Sequence, residues 1–247
     1  MSLITINYMS QALMKWTEMT VIVPNDLSEP LKVLYLLHGD SQDHTTYTRE
    51  TAIEQLAYKY NIMAVCLNGD KSYWTNMAKA LGNYEDHVIE SVNYIDKLFP
   101  TSKDRKDRFI QGLSMGGYGA VKIGLKYSSM FSSIVSASGA IDIEEAFRIC
   151  LADLKNNPGD DKIYDTVFGN LRDEDNNYYL AKKYGRNVRM FFHVGNKDFI
   201  KNASIKFHEF LCENATPHKF EYNVGDHNFE YWNRHLENGI KFHLNKY

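Results

Sequence analysis

"RFIQGLSMGGYGAVKIGLKYS", residues 108–128, decides the fold. Residues 108–113 read as a strand, and from Gly117 onward the pattern is that of a helix. Between them Gly112, Gly116 and Gly117 surround one hydroxyl, Ser114. A strand that turns this sharply into a helix needs glycine at positions where a side chain would meet backbone. The segment matches G-x-S-x-G, the nucleophile elbow, in which the turn holds a serine out where a substrate can reach it. The free N–H groups at the start of the following helix then point at the site and favour an anion there. A purely mechanical turn would use the same glycines, so Ser114 needs partners elsewhere in the chain.

Working outward, strand-like runs occur at 3–8, 19–24, 31–39, 62–70, 107–114, 131–139, 188–196 and 219–226. Amphipathic helical stretches lie at 49–60, 84–99, 117–128, 202–214 and 229–243. In the second of these, Val88, Val92, Ile95 and Phe99 form one apolar face. The first two strands follow each other directly and predict an antiparallel hairpin at a sheet edge. After them strand and helix alternate, which predicts an α/β protein with a mostly parallel sheet and helices on both faces. Right-handed crossovers gather the carboxyl ends of the strands on one edge, where function sits in such folds. Residues 140–186 lack a convincing strand, and so long a stretch should carry helices of its own, lid-like over the active edge. An ordinary crossover helix with a polar loop is the alternative there. No linker or repeat divides the 247 residues, and one domain, 1–247, is expected.

Composition narrows the function. Hydrophobic residues make up 44 % and charged residues 24 %, with a net charge of −3 and scattered basic residues, which argues against a nucleic-acid partner. The start lacks the features of a signal peptide and no apolar run is long enough to span a membrane, so the reading is no membrane and a cytoplasmic location. Three cysteines, Cys66, Cys150 and Cys212, read as reduced thiols. There is no H-E-x-x-H, paired C-x-x-C, P-loop or early G-x-G-x-x-G, and the nine histidines are dispersed, so neither a metal nor a cofactor is expected.

A serine hydroxyl becomes a useful nucleophile only when a base removes its proton. In this architecture the order along the chain is serine, acid, histidine. Asp198 falls just past one downstream strand and His227 just past the next. Asp142, after the strand that follows the elbow, stays open as an alternative acid. Asp226 adjoins His227 and should point elsewhere. His193 lies inside a strand, His208, His235 and His243 in helices, and His218 at the wrong end of the last strand. Oxyanion donors are expected from the amides of Met115, just after the nucleophile, and Asp40, where Gly39 in "YLLHGDSQDH" lets the chain come close. Gly39 and Trp74 are candidate substrate-binding residues, and Trp74 could equally plug the surface. Glu90 reads as a structural hydrogen-bonding residue and Trp232 as packing for the histidine loop. Phe147, Tyr164 and Phe168 read as a wall of the site or as a small core of the 140–186 excursion.

"LYLLHG", "YWTNM", "FIQGLSMGGYGAVKIGL", "GNKDF" and "HNFEYWNRHL", in that order, resemble the putative-esterase (esterase D-like) family of α/β-hydrolases. The likeness is nearest to small bacterial tributyrin esterases, with S-formylglutathione hydrolases as cousins. It spans nearly the whole chain from "YMSQAL" onward and is loosest over 140–186. The resemblance implies an α/β-hydrolase fold and a triad at Ser114, Asp198 and His227. It implies oxyanion donors at Met115 and Asp40, no cofactor, and a small-molecule ester as substrate. Relatives of this kind are often dimers or tetramers, so a homo-oligomer is compatible with it. The position of Asp40 is usually uncharged in the family, so its carboxylate is expected to turn outward. The cousins carry a cysteine soon after this loop, which "HGDSQDHTTY" lacks. The expected function is a serine carboxylesterase acting on short acyl esters. A carbohydrate esterase removing acetyl or feruloyl groups is second and an S-formylglutathione-type thioesterase third. A non-catalytic binding module comes last, because no triad member is missing.

Overall fold

Alternation in the strands determines what covers the sheet. In β3 (Lys32–Leu37), Val33, Tyr35 and Leu37 join one apolar cluster while Leu34 and Leu36 join another. Successive side chains leave a strand on opposite faces, so β3 is buried on both and needs helices above and below. The computed structural model of the chain, which describes residues 1–152 and 160–247, places it mid-sheet.

Among the described residues the sheet has eight strands in the order β1-β2-β4-β3-β5-β6-β7-β8. β1 (Ser2–Ser10) and β2 (Lys15–Val23) form the expected edge hairpin, in register from Ser2↔Val23 to Ser10↔Lys15. β2 pairs antiparallel with β4 (Ile62–Cys66), and every later pairing is parallel, through β5 (Arg108–Leu113), β6 (Ser133–Ala137), β7 (Arg189–Gly195) and β8 (Lys219–Asn223). Between strands run α1 (Thr46–Glu50), α2 (Ile53–Tyr60), α3 (Tyr84–Leu98) and α4 (Met115–Lys126), then α5 (Ile143–Ala152), α6 (Asp160–Val167) and α7 (Asn177–Tyr184). α8 (Lys201–Glu213) and α9 (Phe229–His243) follow β7 and β8. Val88, Val92 and Ile95 on α3 are buried as their spacing predicts, and Phe99 packs half-buried beside them. Among the described residues no helix is long and apolar enough to cross a membrane.

β4 lies on one side of β3 and β5 on the other, so the strand order reverses between β3 and β5. A crevice opens at the carboxyl ends of strands at such a reversal. The loops that begin at His38 and at Ser114 leave those two ends. The 140–186 excursion does carry helices, α5 to α7, and residues 153–159 of it lie outside the described ones. Ala140, Ile143, Ala146, Phe147, Val167 and Phe168 close a third apolar cluster with Tyr118 and Ile200. Tyr164 packs against it, so the aromatics of the excursion do build a core of their own.

Candidate active site

β5 and α4 are separated by one residue, Ser114, whose backbone sits at φ +53° and ψ −119°. A residue with a side chain resists that region, and such strain persists only where the surroundings enforce it. The enforcing contacts are backbone ones. A Cβ on Gly112 would stand 2.0 Å from the Gly116 carbonyl oxygen, and one on Gly116 would stand 2.1 Å from that of Leu37. Only glycine fits at either place, and the turn leaves the Ser114 hydroxyl half-buried at the crevice.

The loop after β7 supplies Asp198, which is buried and accepts a 3.0 Å bond from the Ile200 amide. The loop after β8 supplies His227, held by the turn in which the Asn228 side chain caps α9 at the Tyr231 amide. His227 Nδ1 lies 3.0 Å from both Asp198 carboxylate oxygens, and Nε2 lies 3.0 Å from Ser114 Oγ. A carboxylate can only accept, so Nδ1 carries the proton and Nε2 presents its lone pair to the hydroxyl. The rings of Phe199 and Trp232 flank the imidazole edge-on, with centroids 4.6 and 4.9 Å away. The other candidates are engaged elsewhere. Asp142 accepts from the Tyr178 hydroxyl at 2.9 Å and the Glu145 amide at 3.0 Å, and Asp226 accepts from the His227 amide. His193 is buried in β7 facing the Tyr231 hydroxyl, and Glu90 accepts from Ser10 and from the Gln11 amide.

The loop after β3 is built around His38. Its Nδ1–H donates to the Gly39 carbonyl at 2.7 Å, and its Nε2 accepts from the Gly69 amide at 2.9 Å. Burial lowers its pKa, which keeps the ring neutral in that tautomer. The Gly39 amide is held by Gln42 Oε1 at 2.8 Å. With the carbonyl of the Gly39–Asp40 peptide bound to His38, the Asp40 N–H on its opposite side is aimed away from that bond, as a trans peptide requires. Met115 is the first residue of α4, and its N–H has no acceptor within the helix. The Asp40 carboxylate pairs with Lys71 at 3.2 Å and accepts from the Ser41 hydroxyl.

Around Ser114 and His227 lies a cavity of about 430 Å³. Asp40, Ser41, Gln42, Lys71 and Tyr73 give it a polar side, and Met115, Ala140, Ala146, Ile200 and Phe199 an apolar one. Neither Gly39 nor Trp74 is part of the lining, contrary to their expected place there, and Trp74 is fully buried, so it does not plug the surface either. Tyr73 and Trp74 are both left-handed, at φ +51° and +55°. The chain thereby turns the indole inward, against Gly69 and Gly119, with Nε1–H donating to the His38 carbonyl at 3.2 Å. It is Tyr73 that faces the cavity.

A family model described as "Putative esterase" matches residues 10–243. The chain belongs to this esterase family. Across 98 % of both sequences it is 29 % identical to a protein described as an acetyl esterase from Caldicellulosiruptor saccharolyticus. Among solved structures it superposes on FphF, a fluorophosphonate-binding serine hydrolase of Staphylococcus aureus, with a TM-score of 0.87, 32 % identity and 98 % of each chain covered. An S-formylglutathione hydrolase (FrmB) from Staphylococcus aureus gives 0.85, again at 32 % identity and 98 % coverage of each. The esterase is thus a carboxylic ester hydrolase on the α/β-hydrolase fold.

Several cavity residues of this esterase are not singled out by its sequence: Lys71, Tyr73, Ala146, Cys150, Phe199 and Ile200. Four of them adjoin residues that are, since Lys71 and Tyr73 precede Trp74 and Phe199 and Ile200 follow Asp198. Ala146 and Cys150 are four apart on α5, so one helical face reaches the site.

Proposed function

We propose that this esterase hydrolyses small carboxylic esters through Ser114, His227 and Asp198. The observation that carries the reading is the unbroken run of contacts from Asp198 through His227 to Ser114 Oγ, each 3.0 Å long. Ser114 attacks the ester carbonyl as His227 Nε2 takes its proton, giving a tetrahedral oxyanion. The amides of Met115 and Asp40 receive that oxyanion. His227 returns the proton to the leaving alcohol, and an acyl-enzyme remains. Water, deprotonated by the same nitrogen, attacks it and releases the acid and Ser114. Asp198 keeps the imidazole in the required tautomer and stabilises the imidazolium between the steps.

Ala140, Ala146 and Ile200 contribute to the apolar side of a cavity of only about 430 Å³, which suits a short acyl group. The polar side made by Asp40, Ser41, Gln42 and Lys71 suits a hydroxylated alcohol portion, which favours an acetylated sugar as the second reading. The test is hydrolysis of p-nitrophenyl acetate, butyrate and octanoate, and of an acetylated sugar, by the wild type, Ser114→Ala and Asp198→Asn. The expected pattern is activity that falls with acyl length, vanishes in Ser114→Ala and drops about 10⁴-fold in kcat for Asp198→Asn. Activity surviving in Ser114→Ala would refute the assignment of the nucleophile. Octanoate as the best substrate would refute the short acyl side.

A further inference from the structure

Folding brings together three residues that the ester chemistry does not use. His208 and Cys212 stand four apart on α8, so they share a face, and His218 lies just ahead of β8. Read along the sequence, these histidines look dispersed. In the folded chain one ligand atom from each lies within 4.8 Å of the others. His208 Nδ1 is 2.7 Å from His218 Nε2, and Cys212 Sγ is 3.8 Å from His208 Nδ1.

We propose that His208, Cys212 and His218 form a site for a thiophilic divalent cation, with Zn²⁺ the best match. The orientations of both rings are set by contacts outside the cluster. His218 Nδ1 donates to the Thr216 carbonyl at 2.8 Å, which fixes its tautomer and leaves the Nε2 lone pair facing His208. His208 lies flat on the Phe220 ring, with centroids 4.3 Å apart and an interplanar angle of 11°. A carbonyl-anchored imidazole turned toward a second imidazole and a thiol is an arrangement met at zinc centres. Tetrahedral bonds of Zn²⁺ to nitrogen and sulfur place two nitrogens about 3.3 Å apart and nitrogen and sulfur about 3.6 Å apart. His208 and His218 would separate by roughly 0.6 Å and Cys212 would close on His208 by roughly 0.2 Å, movements within reach of side-chain torsions.

The protons balance without a further reactant. Binding releases the Cys212 thiol proton to solvent. The proton that His208 Nδ1 donates to His218 moves to its Nε2, so that Nδ1 and His218 Nε2 each give a lone pair to the metal. Two neutral imidazoles and one thiolate form a borderline-soft set that discriminates against Mg²⁺ and Ca²⁺. Cys212 is exposed, so the fourth position is open to water.

The site is remote from the chemistry. His218 stands at the entry of β8, and β8 runs in the same direction as β5, whose far end leads to Ser114. The ion would therefore clamp the last turn of α8 to the segment entering β8, and its role would be to hold structure. The two elements it joins adjoin the loops that carry Asp198 and His227.

The probe is Co²⁺ followed by Zn²⁺, added to the reduced, chelator-treated protein, with Cys212→Ser and His218→Ala in parallel. Basal hydrolysis of p-nitrophenyl acetate by the metal-free variants, equal to that of the wild type, shows that they are folded. The expected result is one Co²⁺ per chain with a thiolate-to-cobalt band in the near ultraviolet, bleached by Zn²⁺, and a Tm raised by Zn²⁺. Cys212→Ser should lose the band, and each variant should weaken Zn²⁺ binding more than about 100-fold, since even outer-shell partners are worth about 10–100-fold. Absence of the thiolate band in the wild type, or Zn²⁺ stabilisation undiminished in both variants, would overturn the proposal.

Discussion

At Asp40 one residue serves two demands that conflict in sign. In the proposed mechanism its amide receives a developing negative charge, while its side chain carries one. The structure separates them: His38 holds the peptide by the Gly39 carbonyl, and Lys71 holds the carboxylate at 3.2 Å. Asp40 lines the cavity, and its carboxylate, paired with Lys71, keeps about a third of its surface exposed. Asp40→Asn should therefore change kcat on p-nitrophenyl acetate by less than about fivefold, the effect of an exposed ion pair worth up to about 1 kcal/mol. A tenfold or larger rise in kcat would mean that the carboxylate opposes the oxyanion. The neighbouring loop shows what single residues do not disclose. Two consecutive left-handed residues with bulky side chains, Tyr73 and Trp74, exchange which of them faces the cavity. Nothing in their types announces it, because glycine is the residue that signals that conformation.

The elements were legible to different degrees, and for physical reasons. β5, the elbow and α4 declare themselves because a change of period and a cluster of glycines coincide at one point. The edge hairpin follows from two strands with no helix between them. Less legible is what ties α4 to its neighbours. Lys122, in the middle of α4, would ordinarily be assigned to a solvent face, yet it is fully buried. Its ammonium contacts Glu85 of α3 at 2.8 Å, Asp175 ahead of α7 at 3.3 Å and the Thr75 hydroxyl at 2.9 Å. Lys126, one turn on, reaches Glu85 and Glu174, and Arg172 reaches Asp175. Burial would raise the Glu85 pKa, but Lys122 and Lys126 more than offset it, and the carboxyl titrates below its usual range. Lys122→Met removes the cation that the two buried carboxylates share, leaving Glu85 to Lys126 and Asp175 to Arg172. It should destabilise the fold by about 1–3 kcal/mol in urea titrations at neutral pH, since each carboxylate loses one of its two cations. A loss under 1 kcal/mol would mean that water or a neighbouring cation replaces the ammonium. Glu85 adds a sign for acid: its contribution is complete above its unfolded pKa and is lost as pH falls toward its lower folded value.

Over the whole molecule the same sign recurs in the histidines. His38, His87, His193 and His243 are buried, and burial lowers all four, to about 4 for His87 and about 3 for His193. Unfolded, each takes up a proton below about pH 6.5, whereas folded it stays neutral. The unfolded chain then binds more protons, so the stability present above pH 6.5 is lost as pH falls toward the folded values. From pH 7.5 to 5.5 the loss is about 1.4 kcal/mol for each of His87 and His193, about 3 kcal/mol together, and His38 and His243 add to it with the same sign. Urea titrations at the two pH values should show a fall of several kcal/mol, and an unchanged midpoint would refute this view of the buried rings. Sequence could place these histidines within strands and helices, but their protonation is a property of what the assembled layers put around them.

The position of β8 carries a consequence of its own. Ser114 leaves a strand paired on both sides, whereas His227 hangs from the sheet's last strand, which among the described residues has a neighbour only in β7 and whose side chains are half open to solvent. An outer strand frays at a lower free-energy cost than the centre. As β8 peels away, the proposed base His227 departs and Ser114 keeps its place. Warmed gradually, the enzyme should therefore fall silent before it melts, its hydrolytic midpoint several degrees below that of its circular dichroism. Cooling from between the two midpoints should restore the lost turnover, since all that went missing was one strand at the rim.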